Sequence, residues 1–222
     1  MPIVTIAGQK GGVGKSTLAL HIAAEWLARG KRVLLVDADP QATALTWSEV
    51  AAEAGHTTPT VVAMGDNLRT QLPTVAAGYD ITVVDCPPRN GKRQTWALAV
   101  SDLALLPCGP SAPDVWALAE SVDLVRDVQA IRPELRAAVV ITRKVSGTVM
   151  GREARAALER VELPVLATEI GHRVMFSEAI AAGKGITTYA AGSVAANETR
   201  RLVDELEKVL TVTKRKGKSN AA

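Results

Sequence analysis

Cysteine, histidine and aromatic residues are scarce in this chain of 222 residues, which holds two cysteines, three histidines, one phenylalanine, two tyrosines and four tryptophans. Cys86 and Cys108 cannot build a disulfide framework, which fits a reducing compartment. His21, His56 and His172 stand far apart without metal-ligand spacing, so they are expected to be structural. The four tryptophans fall in predicted helices or loops and are expected to pack rather than to stack on bases. Long apolar runs are missing too. The longest, over 33–36 and 137–141, are strand-sized, whereas a membrane-spanning helix needs about 20 residues. No cationic segment precedes the β-type run Pro2-Ile3-Val4-Thr5-Ile6, so no secretory leader is expected. What is there is a soluble globular balance, 47% hydrophobic and 22% charged, and the expected location is cytoplasmic.

The net charge of +3 is unevenly distributed. Lys214, Arg215, Lys216 and Lys218 crowd the last nine residues; without them 22 basic residues face 23 acidic ones. The basic character therefore belongs largely to a tail, and by itself does not establish a nucleic-acid surface.

Strand-length Val/Ile/Leu runs alternate with helical patterns along the chain. Strands are expected over 3–7, 32–37, 60–63, 81–85, 103–107, 137–142 and 164–167. Most are unbroken apolar runs, the pattern of strands covered on both faces. A helix carrying Leu18, Ile22 and Trp26 ends at Gly30, and others are expected at 41–54, 92–100, 113–131, 151–160, 177–182 and 194–210. In the last, Leu202, Val203, Leu206, Val209 and Leu210 form one stripe. Such alternation predicts an α/β fold of the P-loop NTPase type, a mostly parallel twisted sheet with helices on both faces. Residues 1–210 read as a single domain, and 211–222 as a basic, disordered tail.

The strongest motif is Gly8-Gln9-Lys10-Gly11-Gly12-Val13-Gly14-Lys15-Ser16, between a predicted strand and a predicted helix. It matches the phosphate-binding loop G-x-x-x-x-G-K-[ST]. Glycines let the backbone curl so that the N–H groups of Gly11, Gly12, Val13 and Gly14 can cradle a phosphate, assisted by the helix N-terminus. Lys15 supplies a point charge between the β- and γ-phosphates of ATP, Ser16 a hydroxyl for Mg²⁺, and Thr17 a bond to the α-phosphate. Two expected strands also end in acids, in Val36-Asp37-Ala38-Asp39-Pro40-Gln41 and Val84-Asp85-Cys86-Pro87-Pro88. Strand carboxyl ends are where open α/β sheets bind ligands. Asp85 is the expected Walker B acid, holding Mg²⁺ mainly through water. Each aspartate could instead cap the following helix. Pro87 and Pro88 stiffen the loop after Asp85. Cys86 beside the acid raises the question of an iron–sulfur cluster, but that chemistry needs a second placed thiolate and no C-x-x-C occurs, so both cysteines are expected to be buried and inert.

The second lysine, Lys10 in Lys-Gly-Gly-Val-Gly-Lys-Ser, resembles the deviant phosphate loop of the ParA/MinD ATPases, and Asp37-Ala38-Asp39-Pro40-Gln41, Asp85-Cys86-Pro87-Pro88, Ile141-Thr142-Arg143-Lys144 and 168–184 are similar to ParA-type partition ATPases. The resemblance covers most of 2–210. It implies that Lys10 acts across a homodimer interface on the partner's nucleotide, that Asp39 positions or activates the attacking water, and that Asp37 supports the metal shell. It also implies an ATPase that binds DNA without sequence preference in its ATP state, is stimulated by a cargo adaptor, and positions or partitions a cargo on the nucleoid. Only seven residues precede the loop motif, so the short form without a helix-turn-helix is expected.

Non-specific DNA binding would rest on Lys and Arg contacts to phosphates. Arg173 matches a basic position of short family members, with Arg143, Lys144, Lys184, Arg200, Arg201, Arg152 and Arg155 as further candidates. Solvated charges or ion pairs, such as Arg155 with Glu159 at i, i+4, are the alternative. Two other functions stay open. A MinD-like membrane ATPase would need bulky apolar anchors, yet none follows Val212. An ATP-dependent metabolic synthetase would need a small-molecule pocket, for which no motif is seen.

Overall fold

The computed structural model describes residues 1–217 apart from Asn90 and Glu159, and of 212–217 the backbone alone. In chain order its elements are β1 (Ile3–Ile6), α1 (Lys15–Ala28), β2 (Val33–Asp37), α2 (Thr43–Glu53), β3 (Thr60–Ala63), α3 (Leu68–Ala76), β4 (Ile81–Asp85) and α4 (Gly91–Leu98). There follow β5 (Leu103–Cys108), α5 (Ala112–Ile131), β6 (Arg136–Lys144), α6 (Val149–Leu158), β7 (Val165–Gly171), α7 (Val174–Ala181), α8 (Ile186–Tyr189) and α9 (Val194–Gly217). The strands form one sheet in the order β3-β2-β4-β1-β5-β6-β7, parallel at every pairing.

Alternation along each strand sorts its residues onto the two faces. Val33 and Leu35 of β2 join Val4, Ile6, Ile81 and Val83 under α1, α7, α8 and α9. Their neighbours Leu34 and Val36 turn the other way, with Val84, against Leu68 and Leu72 of α3. Farther along that second face, Ala104, Leu106, Val139 and Ile141 pack against α5 and α6. Both faces are covered, which is why the strands read as continuous apolar runs.

The strand ladder follows the sequence expectation with small extensions, β6 reaching Lys144 and β7 reaching Gly171. Two helices are additions. In α3 only Leu68, Leu72 and Ala76 are buried, and Pro73 sits inside, so the stripe is short and carries a residue that normally breaks a helix. α8 has four residues, too few for a periodic signal. α9 runs to Gly217, beyond the expected end at 210. The tail expected over 211–222 has its last five residues, and every side chain from 212, outside the described residues.

Candidate nucleotide site at the carboxyl end of the sheet

β1 lies between β4 and β5, so the loop after it opens where the chain order reverses, the crevice in which open α/β sheets bind ligands. Gly14 precedes α1 with φ 94°, a left-handed conformation that glycine adopts without strain. No side chain caps this helix start, so its N–H groups face outward for an anion. Lys15 is buried, and its Nζ donates to the Lys10 carbonyl at 2.8 Å. Burial holds its ammonium below the usual lysine range, opposed by Asp85, Cys86 and Asp39. Ser16 and Thr17 are half-buried in the first helical turn.

Side chains from three other elements tie this loop down. Gln94 of α4 is fully buried; its Oε1 accepts the Gly8 N–H at 3.2 Å and its Nε2 donates to the carbonyls of Gly8 (3.3 Å) and Pro87 (2.7 Å). It thereby joins the phosphate loop to the loop after Asp85. Ser121 Oγ of α5 accepts the Gln9 N–H at 3.0 Å. From β6, Thr142 Oγ1 donates to the Val13 carbonyl and the Arg143 guanidinium to the Gly12 carbonyl, both at 2.8 Å. Sequence reasoning missed Gln94 and Ser121. The only signal was a polar residue on the inward stripe of a predicted helix.

Lys10 has a carboxylate partner. Its Nζ lies 2.6 Å from Asp114 Oδ1, with more than a third of its side chain exposed. Asp114 is the N3 residue of a capping box at the start of α5, where Ser111 accepts its N–H and its carboxylate faces Ser111 in return. Gly109 makes room for it: a Cβ at 109 would stand 2.4 Å from Asp114 Oδ2.

The three aspartates differ in what they hold. Asp37 is buried, with Oδ1 accepting from the Asp39 N–H (3.1 Å) and Oδ2 from those of Ala44 (2.8 Å) and Leu45 (3.2 Å). Its oxygens therefore bind the N-terminus of α2, and burial raises its carboxyl pKa against those bonds. Asp39 is half-buried and accepts the Gln41 N–H at 3.0 Å. Asp85 is wholly buried, and neither of its oxygens makes a hydrogen bond of good geometry among the described residues. Burial pushes its carboxyl up to about 7; the Ser16 hydroxyl beside it pulls down, Asp37 and Asp39 add to the rise, and Lys15 opposes it. A buried, unsatisfied carboxylate next to a serine hydroxyl fits a divalent cation.

Burial pushes the Cys108 thiol up to about 12 and raises that of Cys86 as well, so both are inert buried thiols. Among the described residues no cluster of three His, Cys, Asp or Glu could hold a metal. His21 is buried in α1; its Nδ1 accepts the Ile186 N–H at 3.1 Å, which leaves Nε2 to donate to the Phe176 carbonyl at 3.2 Å. It staples the phosphate-loop helix to α7 and α8.

The basic candidates do not form one free surface. Arg173 binds Glu198 at 2.7 Å, Lys144 meets Glu169, and Arg155 meets Glu169 at 3.1 Å. Arg155 thus has a carboxylate in β7; the expected partner Glu159 lies outside the described residues. Arg200 donates to the Ala191 carbonyl at 2.8 Å, and Arg152 to that of Gly147 at 3.4 Å. Lys184 is half-buried and Arg201 exposed. Arg143 departs from the group, bound to the phosphate loop instead. One tryptophan is also a correction: Trp116, expected to pack, is 72% exposed on α5, two residues past Asp114. Trp26 and Trp47 are buried as expected. No described helix is long and apolar enough to cross a membrane.

Comparison with known proteins agrees with this fold. The chain is 31% identical over 206 residues to the maintenance of carboxysome distribution protein A of Halothiobacillus neapolitanus, spanning 91% of this chain and 95% of that protein. It is 30% identical over 234 residues to the chromosome-partitioning ATPase Soj of Thermus thermophilus, spanning 91% and 94%. Its fold matches the septum site-determining protein MinD of Pyrococcus horikoshii complexed with Mg-ADP at a TM-score of 0.74, with 18% identity over 95% of this chain and 98% of that one. The profile of the CobQ/CobB/MinD/ParA nucleotide binding domain matches residues 4–186, and the chain belongs to that family.

Proposed function

We propose that this chain is a dimerising ATPase that binds DNA non-specifically in its ATP state and, with a stimulating adaptor, positions or partitions an intracellular cargo. The observation that carries this reading is one loop holding two lysines in opposite settings. Lys15 is buried at the foot of the loop, while Lys10 stands at its rim, partly exposed and held by one carboxylate. A buried lysine serves the nucleotide of its own subunit; a rim lysine can reach that of a second copy, as an arginine finger does. Full-length likeness to relatives named for carboxysome distribution and chromosome partitioning supports the positioning role.

In this reading the Gly11–Gly14 backbone and the start of α1 receive the phosphates, with Lys15 and Thr17 as side-chain donors. Mg²⁺ would be held by the Ser16 hydroxyl and, through water, by Asp85; when bound it neutralises phosphate charge. Asp37 supports that shell from behind by fixing the start of α2, and Asp39, on the same turn, orients the attacking water. Gln94 links the loop to Pro87, so a change at the phosphates reaches the loop after Asp85. DNA contacts fall to Arg173, Arg201, Arg200, Lys184 and Lys144, of which Arg173 and Lys144 must first exchange a carboxylate for a DNA phosphate. The chain then works in the cytoplasm on the nucleoid. A membrane role lacks support, because the apolar residues Leu202, Val203 and Leu206 of α9 are buried in the core.

Binding of purified protein to random-sequence duplex DNA with ATP, ADP or no nucleotide, across a salt series, tests the reading. ATP-dependent binding that weakens steeply with salt and is lost in Arg173→Glu is the expected result. Equal or absent binding in all three states would remove the DNA role and leave a dimeric ATPase to be assayed on vesicles and metabolites.

A further inference from the structure

The end of β6 does something that neither a sheet strand nor a DNA-binding surface requires. Its ladder with β7 is irregular between Ile141 and Lys144, and Arg143 sits there at φ 55°, a left-handed conformation that a long side chain adopts only when its surroundings hold it. The two residues at this kink reach the same short stretch of the phosphate loop. Thr142, buried, donates its hydroxyl to the Val13 carbonyl; Arg143, exposed, donates to the Gly12 carbonyl.

A trans peptide is planar, so fixing a carbonyl also fixes the N–H of the next residue, which points the opposite way. The bond to the Gly12 carbonyl orients the Val13 N–H, and the bond to the Val13 carbonyl orients the Gly14 N–H. Among the described residues neither of these N–H groups donates a hydrogen bond within the chain. Gly12 and Gly14, both at positive φ, give these two peptides more freedom than other residues would. A loop of this composition needs an external tether to keep successive amides aimed at one anion.

We propose that Thr142 and Arg143 are positioning residues for the nucleotide, a two-point strap from β6 that aims the Val13 and Gly14 amides at a bound phosphate. The proposal rests on the nucleotide-binding reading of the loop and moves Arg143 from the DNA surface to the ATP site. Preorganised donors bind more tightly because the ordering is done before the ligand arrives. A net hydrogen bond of ordinary strength converts to a change in nucleotide affinity of about threefold to tenfold per tether.

The test is titration of the full chain with fluorescent ADP and ATP analogues in Mg²⁺, alongside melting without nucleotide and DNA binding. Thr142→Val keeps the shape and removes the donor; it should weaken both nucleotides about threefold to tenfold. Thr142→Ser, which restores the hydroxyl, should return affinity to within about twofold of the parent. At 143, Arg143→Gly keeps the backbone conformation without the tether and should weaken nucleotide binding about threefold. Arg143→Gln removes the charge and, two bonds shorter, the reach to the Gly12 carbonyl, so it should weaken nucleotide binding about threefold as well. If Arg143 served DNA instead, Arg143→Gln would lose DNA binding with nucleotide affinity unchanged in both 143 variants, and the strap at Arg143 would be overturned. If Thr142→Val lowers the melting temperature but not nucleotide affinity, Thr142 is merely structural and its part of the strap falls. A parent protein that binds no nucleotide would refute the underlying reading, and Lys15→Ala shows what that failure looks like.

Discussion

The phosphate-loop end and the α7–α9 face are organised on opposite principles. At the loop the proposed phosphate donors are mainly backbone N–H groups of nine consecutive residues, joined by its own side chains such as Lys15, and side chains from α4, α5 and β6 hold that backbone. On the α7–α9 face the proposed DNA contacts are side-chain cations, and Arg173 there is already engaged by Glu198, as Lys144 at the end of β6 is by Glu169. A site made of backbone is fixed once the chain folds. A site made of long, half-exposed cations is set by a balance of weak pairs, each worth about 0–1 kcal/mol, and can be retuned by an incoming polyanion.

That contrast can be broken most sharply at Lys15. Lys15→Ala should reduce nucleotide affinity about a hundredfold or more, measured by calorimetric titration, because it removes a charge-assisted donor that nothing nearby replaces. A loss below tenfold would mean that the loop backbone alone carries binding. His21, which joins the two regions, gives the next largest effect. Its folded pKa, lowered by burial to about 4, lies below the unfolded value of 6.5. The neutral staple is fully effective above about pH 6.5, and stability is lost as pH falls toward 4, by about 3 kcal/mol in all. Urea melts at a series of pH values should show that slope, and His21→Gln should flatten it. An unchanged slope in that variant would assign the acid sensitivity elsewhere.

A smaller effect is expected at Asp114. Asp114→Asn should cost about 1 kcal/mol of stability through its capping box while freeing Lys10, so that ATP-dependent dimer at limiting protein rises about twofold to threefold by sedimentation. A fall in dimer would mean that Asp114 aims Lys10 rather than restrains it. The smallest change belongs to the face. Glu198→Gln should raise DNA affinity in the ATP state about twofold, since Arg173 would no longer be neutralised. No change there, with Arg173→Glu still inactive, would show that the pair opens at negligible cost.

The same contrast explains what could be read from the sequence. The loop, Asp39 and Asp85 were legible because each sits within a few residues of the strand end that positions it. The fold class was legible from the alternation of unbroken apolar runs with helical patterns, which is likewise local. Gln94, Ser121 and Asp114 were not legible, since each meets the loop only after the sheet has brought α4 and α5 beside β1. Arg173 and Lys144 looked free because Glu198 and Glu169 lie far along the chain. Arg143 read as part of a family-like motif and as a DNA-contact candidate, because the left-handed conformation from which it reaches Gly12 lies where the pairing of β6 with β7 is irregular, and neither is visible in the sequence.

Gly109 shows how far such indirect arrangements extend. It carries no side chain and no charge, but any Cβ at that position would occupy the space of the Asp114 carboxylate. A substitution there should therefore copy the phenotype of losing Asp114, releasing Lys10 from a residue that has no functional group of its own. Over generations the two positions are not independent: a side chain at 109 becomes acceptable once the residue at 114 has shortened, so the pair should drift together or not at all.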